Sequence, residues 1–113
     1  MAKLPGAYEV FQKEFKSIAS AYDQLGEESV EWGPLNKKTV RLVKLGIAIG
    51  AGLEGAVHSH TRRALEAGAT AREIRHTVLL ALTTLGFPAM MSGLTWVEDV
   101  LKGKLHNRRR KKK

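Results

Sequence analysis

Cysteine is absent from all 113 residues of this sequence. The chain therefore forms no disulfide, no thiolate metal site and no thiol redox centre of its own. No apolar run is long enough to span a membrane, because Lys44, Glu54 and His58 interrupt the longest candidate. Residues 1–5 lack the apolar segment of a secretion signal. We therefore predict a cytoplasmic protein that does not bind membranes.

Positive charge is unevenly distributed along the chain. The formal net charge is +8, with 19 Lys and Arg against 11 Asp and Glu. Six of these positive charges form the continuous run at residues 108–113, so the rest of the chain is nearly balanced. A run of like charges repels itself and favours a disordered tail. The rest of the sequence has no helix-turn-helix, zinc-knuckle or aromatic-ladder pattern, so we favour a solubility role or a dispensable tail over nucleic-acid binding.

Apolar residues follow a helical period throughout the sequence. A first helix is predicted from near Pro5 to about Tyr22, followed by a polar loop that contains Gly26, Gly33 and Pro34. Four more helices are predicted over residues 37–50, 53–67, 71–85 and 88–101. The second helix has apolar residues on nearly all its faces, which is typical of a helix at a domain centre or a subunit interface.

Local signals mark the ends of these helices. Asn36 is positioned as an N-cap, and Thr70 with Glu73 has the spacing of a capping box. Gly68 and Gly86 are positioned to end the third and fourth helices. The pattern shows no strand alternation and no glycine-rich phosphate loop, so we predict an all-α fold.

Two histidines, His58 and His60, lie two residues apart in the third predicted helix. Residues with this spacing point about 200° apart on a helix, so both cannot bind one metal ion there. Glu54 and His58 are one turn apart and share a face. They either form an exposed contact or supply two ligands of a metal, and two ligands are too few without help from His76 or another chain. We predict the contact and no metal.

His60 lies on a small, apolar face with Ala56, Val57 and Ala64. A partly buried histidine in such a place needs a hydrogen-bond partner. The residues leave two interpretations open, a structural core histidine and a general acid or base.

Three blocks of sequence resemble the carboxymuconolactone decarboxylase family, which includes the alkyl hydroperoxide reductase D (AhpD) proteins. The blocks are residues 60–70, residues 73–75 and residues 85–89, in the order and spacing of the family. The resemblance covers residues 35–101. It implies an AhpD-like all-helical domain that assembles with itself into a trimer or hexamer, with the site at subunit contacts. We predict one domain overall, with an N-terminal helix and loop at 1–34, the family-like core at 35–102 and the disordered basic tail at 103–113.

The redox branch of this family carries a Cys-x-x-Cys motif at positions that here read Leu53 and Ala56. The resemblance places the relay glutamate of that branch at Arg41 and its histidine at His60. Leucine and alanine cannot replace a thiolate nucleophile, so peroxidase and disulfide-reductase activities are expected to be absent.

The decarboxylase branch is the nearer comparison because it lacks the cysteine pair. It acts without a cofactor on a lactone that carries carboxylates. Its usual histidine and tyrosine fall at positions that here read Leu80 and Thr84. Other polar groups stand near those positions, namely His76, Thr83 and Thr84.

Arg41 occupies a mostly apolar helix, at a position that the resemblance directs to the family's pocket. A buried arginine is costly unless it is paired, and its guanidinium matches a carboxylate with two hydrogen bonds. Our hypothesis is that Arg41 anchors a small acidic molecule while His60 moves a proton. The alternative is an internal ion pair of Arg41 with Glu54, Glu28 or Glu31, or an arginine that reaches solvent.

Two classes of function follow. The first is a cofactor-independent lyase or isomerase acting on a small carboxylated substrate, with His60 and Arg41 as catalytic residues. The expected pocket residues are Leu53, Glu54, Ala56, His58, His76, Thr83 and Thr84. The second is a non-catalytic oligomer of the same fold that binds a metabolite or scaffolds partners.

Overall fold

Seven helices account for most of residues 6–103, the part of the chain that the computed structural model describes. They are α1 (Gly6–Glu14), α2 (Lys16–Glu31), α3 (Lys37–Ala51), α4 (Glu54–Glu66), α5 (Ala71–Leu79), α6 (Ala81–Leu85) and α7 (Phe87–Leu101). These residues contain no strand, so the predicted all-α fold is confirmed. No helix among them combines the length and the apolar character needed to cross a membrane.

The described residues divide into two compact units, one made of α1 and α2 and the other of α3 to α7, with the division after Pro34. In the first unit the predicted single helix is interrupted at Phe15, whose backbone is not helical. The ring of Phe11 lies 6.5 Å from that of Tyr8 and 6.0 Å from that of Phe15, measured between centroids. The predicted start at Pro5 and the predicted basic tail after Gly103 lie outside the described residues.

The predicted polar loop after Tyr22 is wrong in its first half, because α2 continues to Glu31. The side-chain amide of Gln24 donates to Glu28 at 2.8 Å across one helical turn. A glycine within a helix costs only about 1 kcal/mol relative to alanine. Gly26 is therefore tolerated among neighbouring helix formers.

Sequence-encoded caps set the ends of α3, α5 and α7. The Asn36 side chain accepts a hydrogen bond from the Thr39 N–H at 2.9 Å, as predicted. The Thr70–Glu73 capping box is confirmed, since each side chain accepts from the other residue's N–H, at 2.9 and 3.0 Å. Gly86 has a φ of 109°, which ends α6 and lets α7 start in a new direction.

The fourth predicted helix is divided in the structure, because α5 ends at Leu79 and α6 starts at Ala81. Leu80 between them keeps right-handed helical dihedrals, so the division is a local break in hydrogen bonding. No glycine or proline marks it. The sequence therefore offered no signal for this break.

Helix α3 is the centre of the second unit and contacts α4, α5, α6 and α7. The largest fully buried side chains come from several of these helices and are Leu45, Val57, Thr61, Ile74, Val78 and Val97. The Thr61 hydroxyl is satisfied within α4, where it donates to the Val57 carbonyl at 2.7 Å. Helix α3 has apolar residues on nearly all its faces, as predicted, but not all of them are buried. Val43 and Ile47 are 47% and 65% exposed.

Candidate functional site

Helices α3 and α4 form a tight hairpin that positions the predicted site. Only Gly52 and Leu53 separate them, and Gly52 takes the left-handed conformation with a φ of 69°. The Gly52 N–H bonds the Ile49 carbonyl at 3.0 Å, and the Leu53 N–H bonds that of Ala48 at 3.2 Å. So short a connection makes the two helices fold back on each other. Residues at similar distances before and after Gly52 are therefore brought side by side.

His60 lies on α4 between the buried residues Val57 and Ala64. Its Nδ1 atom is buried and has no hydrogen-bond partner among the described residues, and no other buried side-chain nitrogen or oxygen there shares that condition. A buried polar atom normally finds a partner, because leaving it unsatisfied costs about 1–3 kcal/mol. His60 is therefore the described residue whose buried side chain is left with an unused hydrogen-bonding nitrogen.

Three cations of the α3–α4 hairpin act electrostatically on His60. Burial is the largest cause that lowers the pKa of the His60 imidazole from its ordinary value of 6.5, and the charges of Lys44, Arg63 and Arg41 lower it further. Arg41 and Lys44 are one turn apart on α3, and His60 and Arg63 are one turn apart on α4. The site thus holds a neutral imidazole at neutral pH beside positive charge.

Arg41 is half-buried and forms no salt bridge with the described residues of its own unit, 35–103. The internal ion pair of Arg41 with Glu54, one of the alternatives for Arg41, is not found in the second unit, and the pairs with Glu28 and Glu31 stay predictions. Lys44 is also half-buried without a salt bridge in the same range. Two partly desolvated cations without a protein anion form an electrostatic environment suited to a bound anion.

Leu53 and Ala56 stand at the start of α4, where the resemblance places the two cysteines of the redox branch. Leu53 is the N-cap residue and is 55% exposed, while Ala56 is half-buried against the core. Neither side chain has a nucleophilic or acid–base group. They can shape a pocket but cannot take part in the chemistry.

His58 and Glu54 lie close to Asp99 of α7 and form a cluster that does not include His60. The Nε2 atom of His58 lies 3.0 Å from Oδ2 of Asp99 on α7, and both side chains are partly buried. The predicted partner of His58 was Glu54, whereas the hydrogen bond is to Asp99. Donor atoms of Glu54, His58 and Asp99 nevertheless all lie within 4.8 Å of one another.

Thr84 lines a separate apolar groove between α3 and the α5–α6 segment. The groove encloses about 440 Å³, and its polar lining is limited to Thr39, Thr77 and Thr84. The hydroxyl of Thr84 donates to the Leu80 carbonyl at 3.0 Å, and that of Thr77 donates to the Glu73 carbonyl at 3.1 Å. Neither His60 nor Arg41 lines this groove. The structure places Thr84 in this groove, and its membership of one pocket with His60 stays a prediction.

His76 and Thr83 are exposed on α5 and α6. In the described part of the chain, no hydrogen bond or ion pair joins either residue to His60 or Arg41. Their inclusion in one pocket with His60 remains a prediction.

Three charged residues near these groups were not singled out from the sequence, namely Lys44, Arg63 and Asp99. The first two could have been found from helical spacing, since each lies one turn beyond a residue that was singled out. Asp99 lies 41 residues after His58 and joins it only through the packing of α7 on α4. No local signal in the sequence reports that contact.

Comparison with known proteins places this architecture in a family. The fold is similar to the crystal structure of apo-lpg0406, a carboxymuconolactone decarboxylase family protein from Legionella pneumophila. The TM-score is 0.73 and the sequence identity is 24%, over 81% of this chain and 82% of that chain. No curated protein matches the sequence significantly. The family model for the carboxymuconolactone decarboxylase family matches residues 17–99, which is most of the chain. This protein therefore belongs to the carboxymuconolactone decarboxylase family.

Proposed function

We propose that this protein is a cofactor-independent lyase or isomerase that binds a small carboxylated substrate and moves a proton with His60. The observation that carries the proposal is the buried Nδ1 atom of His60, which has no partner among the described residues and is surrounded by three cations. A carboxylated substrate would supply the missing negative charge. Arg41 is the proposed anchor, because a guanidinium binds a carboxylate with two parallel hydrogen bonds.

The lowered pKa of His60 favours a general base over a general acid in the first step. The neutral imidazole takes a proton from a carbon next to the substrate's carbonyl group, and the electron pair of the C–H bond delocalises onto the carbonyl oxygen. Arg41 and Lys44 stabilise the resulting enolate. In an isomerisation the imidazolium returns the proton to another carbon. In a decarboxylation no C–H bond breaks first: the C–CO₂ bond breaks, its electron pair delocalises onto the neighbouring carbonyl oxygen, and the resulting enolate carbon takes a proton from solvent through His60.

The chain supplies no thiol to such a reaction, because the sequence has no cysteine. Peroxide reduction of the kind implied by the redox branch of the family requires a thiolate. This is why the proposal is restricted to proton transfer and carbon–carbon bond cleavage.

The test is hydrogen exchange at carbon, which reports proton transfer whatever the final product is. A panel of small di- and tricarboxylates is incubated with the protein in D₂O, and deuterium uptake and CO₂ release are followed by NMR. We expect His60→Gln to lower the rate by about 10²–10⁴, as for loss of a general base. Glu66→Gln is the matched control and should leave the rate unchanged, because Glu66 is an exposed acid–base side chain on the same helix and is not among the expected pocket residues.

Binding is tested separately with Arg41→Met and the matched control Arg72→Met, which changes an exposed arginine on α5. Arg41→Met should weaken the binding of the active carboxylate at least about tenfold, while Arg72→Met should not. If Arg41→Met bound as tightly as the wild type, the anchoring role would be refuted. If no carboxylate bound or exchanged, the enzymatic proposal would fail as a whole.

A second proposal concerns self-association into a trimer or hexamer, the assembly that the family resemblance implies. Its support in this chain is the exposure of large apolar residues on and beside α3, including Ile47, Leu53 and Leu80 at 65%, 55% and 60%. Exposed apolar surface of this kind is typical of protein contacts. The same surface would serve a non-catalytic oligomer, so the alternative function shares this support. Native mass spectrometry should report three or six subunits, and a monomer would contradict the assembly.

A further inference from the structure

We propose that Glu54, His58 and Asp99 form a binding site for a divalent first-row transition metal ion such as Zn²⁺. Their donor atoms are an imidazole nitrogen and two carboxylate oxygens, all within 4.8 Å of one another. This donor set is separate from the His60 site, because His58 and His60 point in different directions from α4. The inference therefore does not depend on the proposed enzymatic function.

The geometry of the His58–Asp99 pair suits metal ligands. The Nε2 and Oδ2 atoms are 3.0 Å apart. Two ligands of a tetrahedral Zn²⁺ with bonds of about 2.1 Å are separated by about 3.4 Å, so the contact between Nε2 and Oδ2 would open by about 0.4 Å to admit one ion. Water molecules would complete the coordination, because Glu54 is exposed and leaves the site open to solvent.

The three side chains are carried by rigid and differently placed elements. Glu54 and His58 are one turn apart on α4, which directs both to the same face. Asp99 comes from α7, and the packing of α4 against α7 fixes its position. Glu54 makes no side-chain hydrogen bond or salt bridge within residues 6–103, so its carboxylate is available to a ligand. The proposed metal site thus takes two ligands from α4 and a third from α7.

The donor types select the class of ion. Imidazole nitrogen together with carboxylate oxygen suits Zn²⁺, Mn²⁺, Fe²⁺ and Co²⁺ better than Ca²⁺, which takes six to eight oxygen ligands. With one nitrogen and only two carboxylates, Ca²⁺ should bind more weakly than Zn²⁺.

The experiment is isothermal titration calorimetry of the full, untagged chain with Zn²⁺ after treatment with a chelator. We expect one Zn²⁺ per chain. Glu54→Gln is the decisive variant, because Glu54 is exposed and its loss should leave the fold intact. It should weaken Zn²⁺ binding by more than about tenfold, since one of three protein ligands is lost. Asp99→Asn keeps an acceptor for His58 but removes the charge, and should weaken binding to a similar degree.

His76→Gln is the matched control, since it removes an exposed histidine outside the cluster. It should bind Zn²⁺ as the wild type does. Circular dichroism of each variant separates loss of a ligand from loss of the fold. Absence of Zn²⁺ binding by the wild type, unchanged binding by Glu54→Gln, or equal weakening by His76→Gln would each overturn the proposal. In those cases the His58–Asp99 contact is an interhelical hydrogen bond only.

Discussion

The capping box at the start of α5 allows a stability change to be predicted from one side chain. Replacing Thr70 with alanine removes the hydroxyl oxygen that accepts the Glu73 N–H at 3.0 Å. That N–H has no acceptor within the first turn of the helix. Loss of an N-cap threonine costs about 1 kcal/mol, within a range of about 0.5–2 kcal/mol. In a helical unit of this size, about 1 kcal/mol lowers the melting temperature by roughly 4–8 °C.

Thr95 offers a matched control for this substitution. It is exposed on α7, and its hydroxyl donates to the Met91 carbonyl at 2.9 Å. That carbonyl lies inside the helix and already has a backbone partner, so alanine leaves no group unsatisfied. Alanine also has a higher helix propensity than threonine, by up to about 0.7 kcal/mol. Thr95→Ala should therefore melt at or above the wild-type temperature.

Thermal and urea denaturation, followed by circular dichroism at 222 nm, would measure both variants. Thr70→Ala should be less stable than Thr95→Ala by about 1–2 kcal/mol. Equal stabilities of the two variants would refute it. That result would mean that the hydroxyl of Thr70 contributes no more than that of a threonine in the middle of a helix.

Two further predictions follow from burial and charge. In NMR titrations the pKa of His60 should lie below 6.5, and Lys44→Met should raise it because one of the surrounding positive charges is lost. Since the unfolded chain binds this proton near pH 6.5 and the folded chain only at lower pH, stability should fall as the pH drops below about 6.5, and less so in His60→Gln. A measured pKa of His60 at its ordinary value would contradict the proposed burial of this side chain beside positive charges. For the glycines, a Cβ at Gly93 would lie 3.0 Å from Ile49, whereas one at Gly46 would meet only ordinary contacts. Gly46→Ala should therefore stabilise by up to about 1 kcal/mol, and thermal melts should rank it above Gly93→Ala.

Local sequence signals were sufficient where one residue determines the end of a helix. Asn36, Thr70 and Gly86 each act on backbone groups within a few positions of themselves. Their effects can therefore be predicted without reference to the tertiary fold. The helical period of the apolar residues similarly predicted α3, α4 and α7 to within a few residues.

The predicted helix boundaries were wrong at positions where the preferences for helix and for loop are nearly equal. The continuation of α2 past Gly26 and the division at Leu80 each depend on small differences in backbone free energy. A single glycine costs too little to end a helix whose other residues favour it. The division between α5 and α6 is a smaller change still, because the backbone dihedrals of Leu80 remain helical.

For the candidate sites, local sequence signals predicted even less than they did for the helix boundaries. The position of His60 on an apolar face followed from spacing, and so did the shared face of Glu54 and His58. The sequence alone therefore determined the helical class, the caps, the lack of thiol chemistry and the residues on each face of α4, because these depend on residue type and local spacing. Only the tertiary structure decided that His58 contacts Asp99, that Lys44 of α3 lies near His60 of α4, and that Thr84 lines an apolar groove with Thr39 and Thr77. Those contacts depend on how the helices pack, which no local pattern in the sequence records.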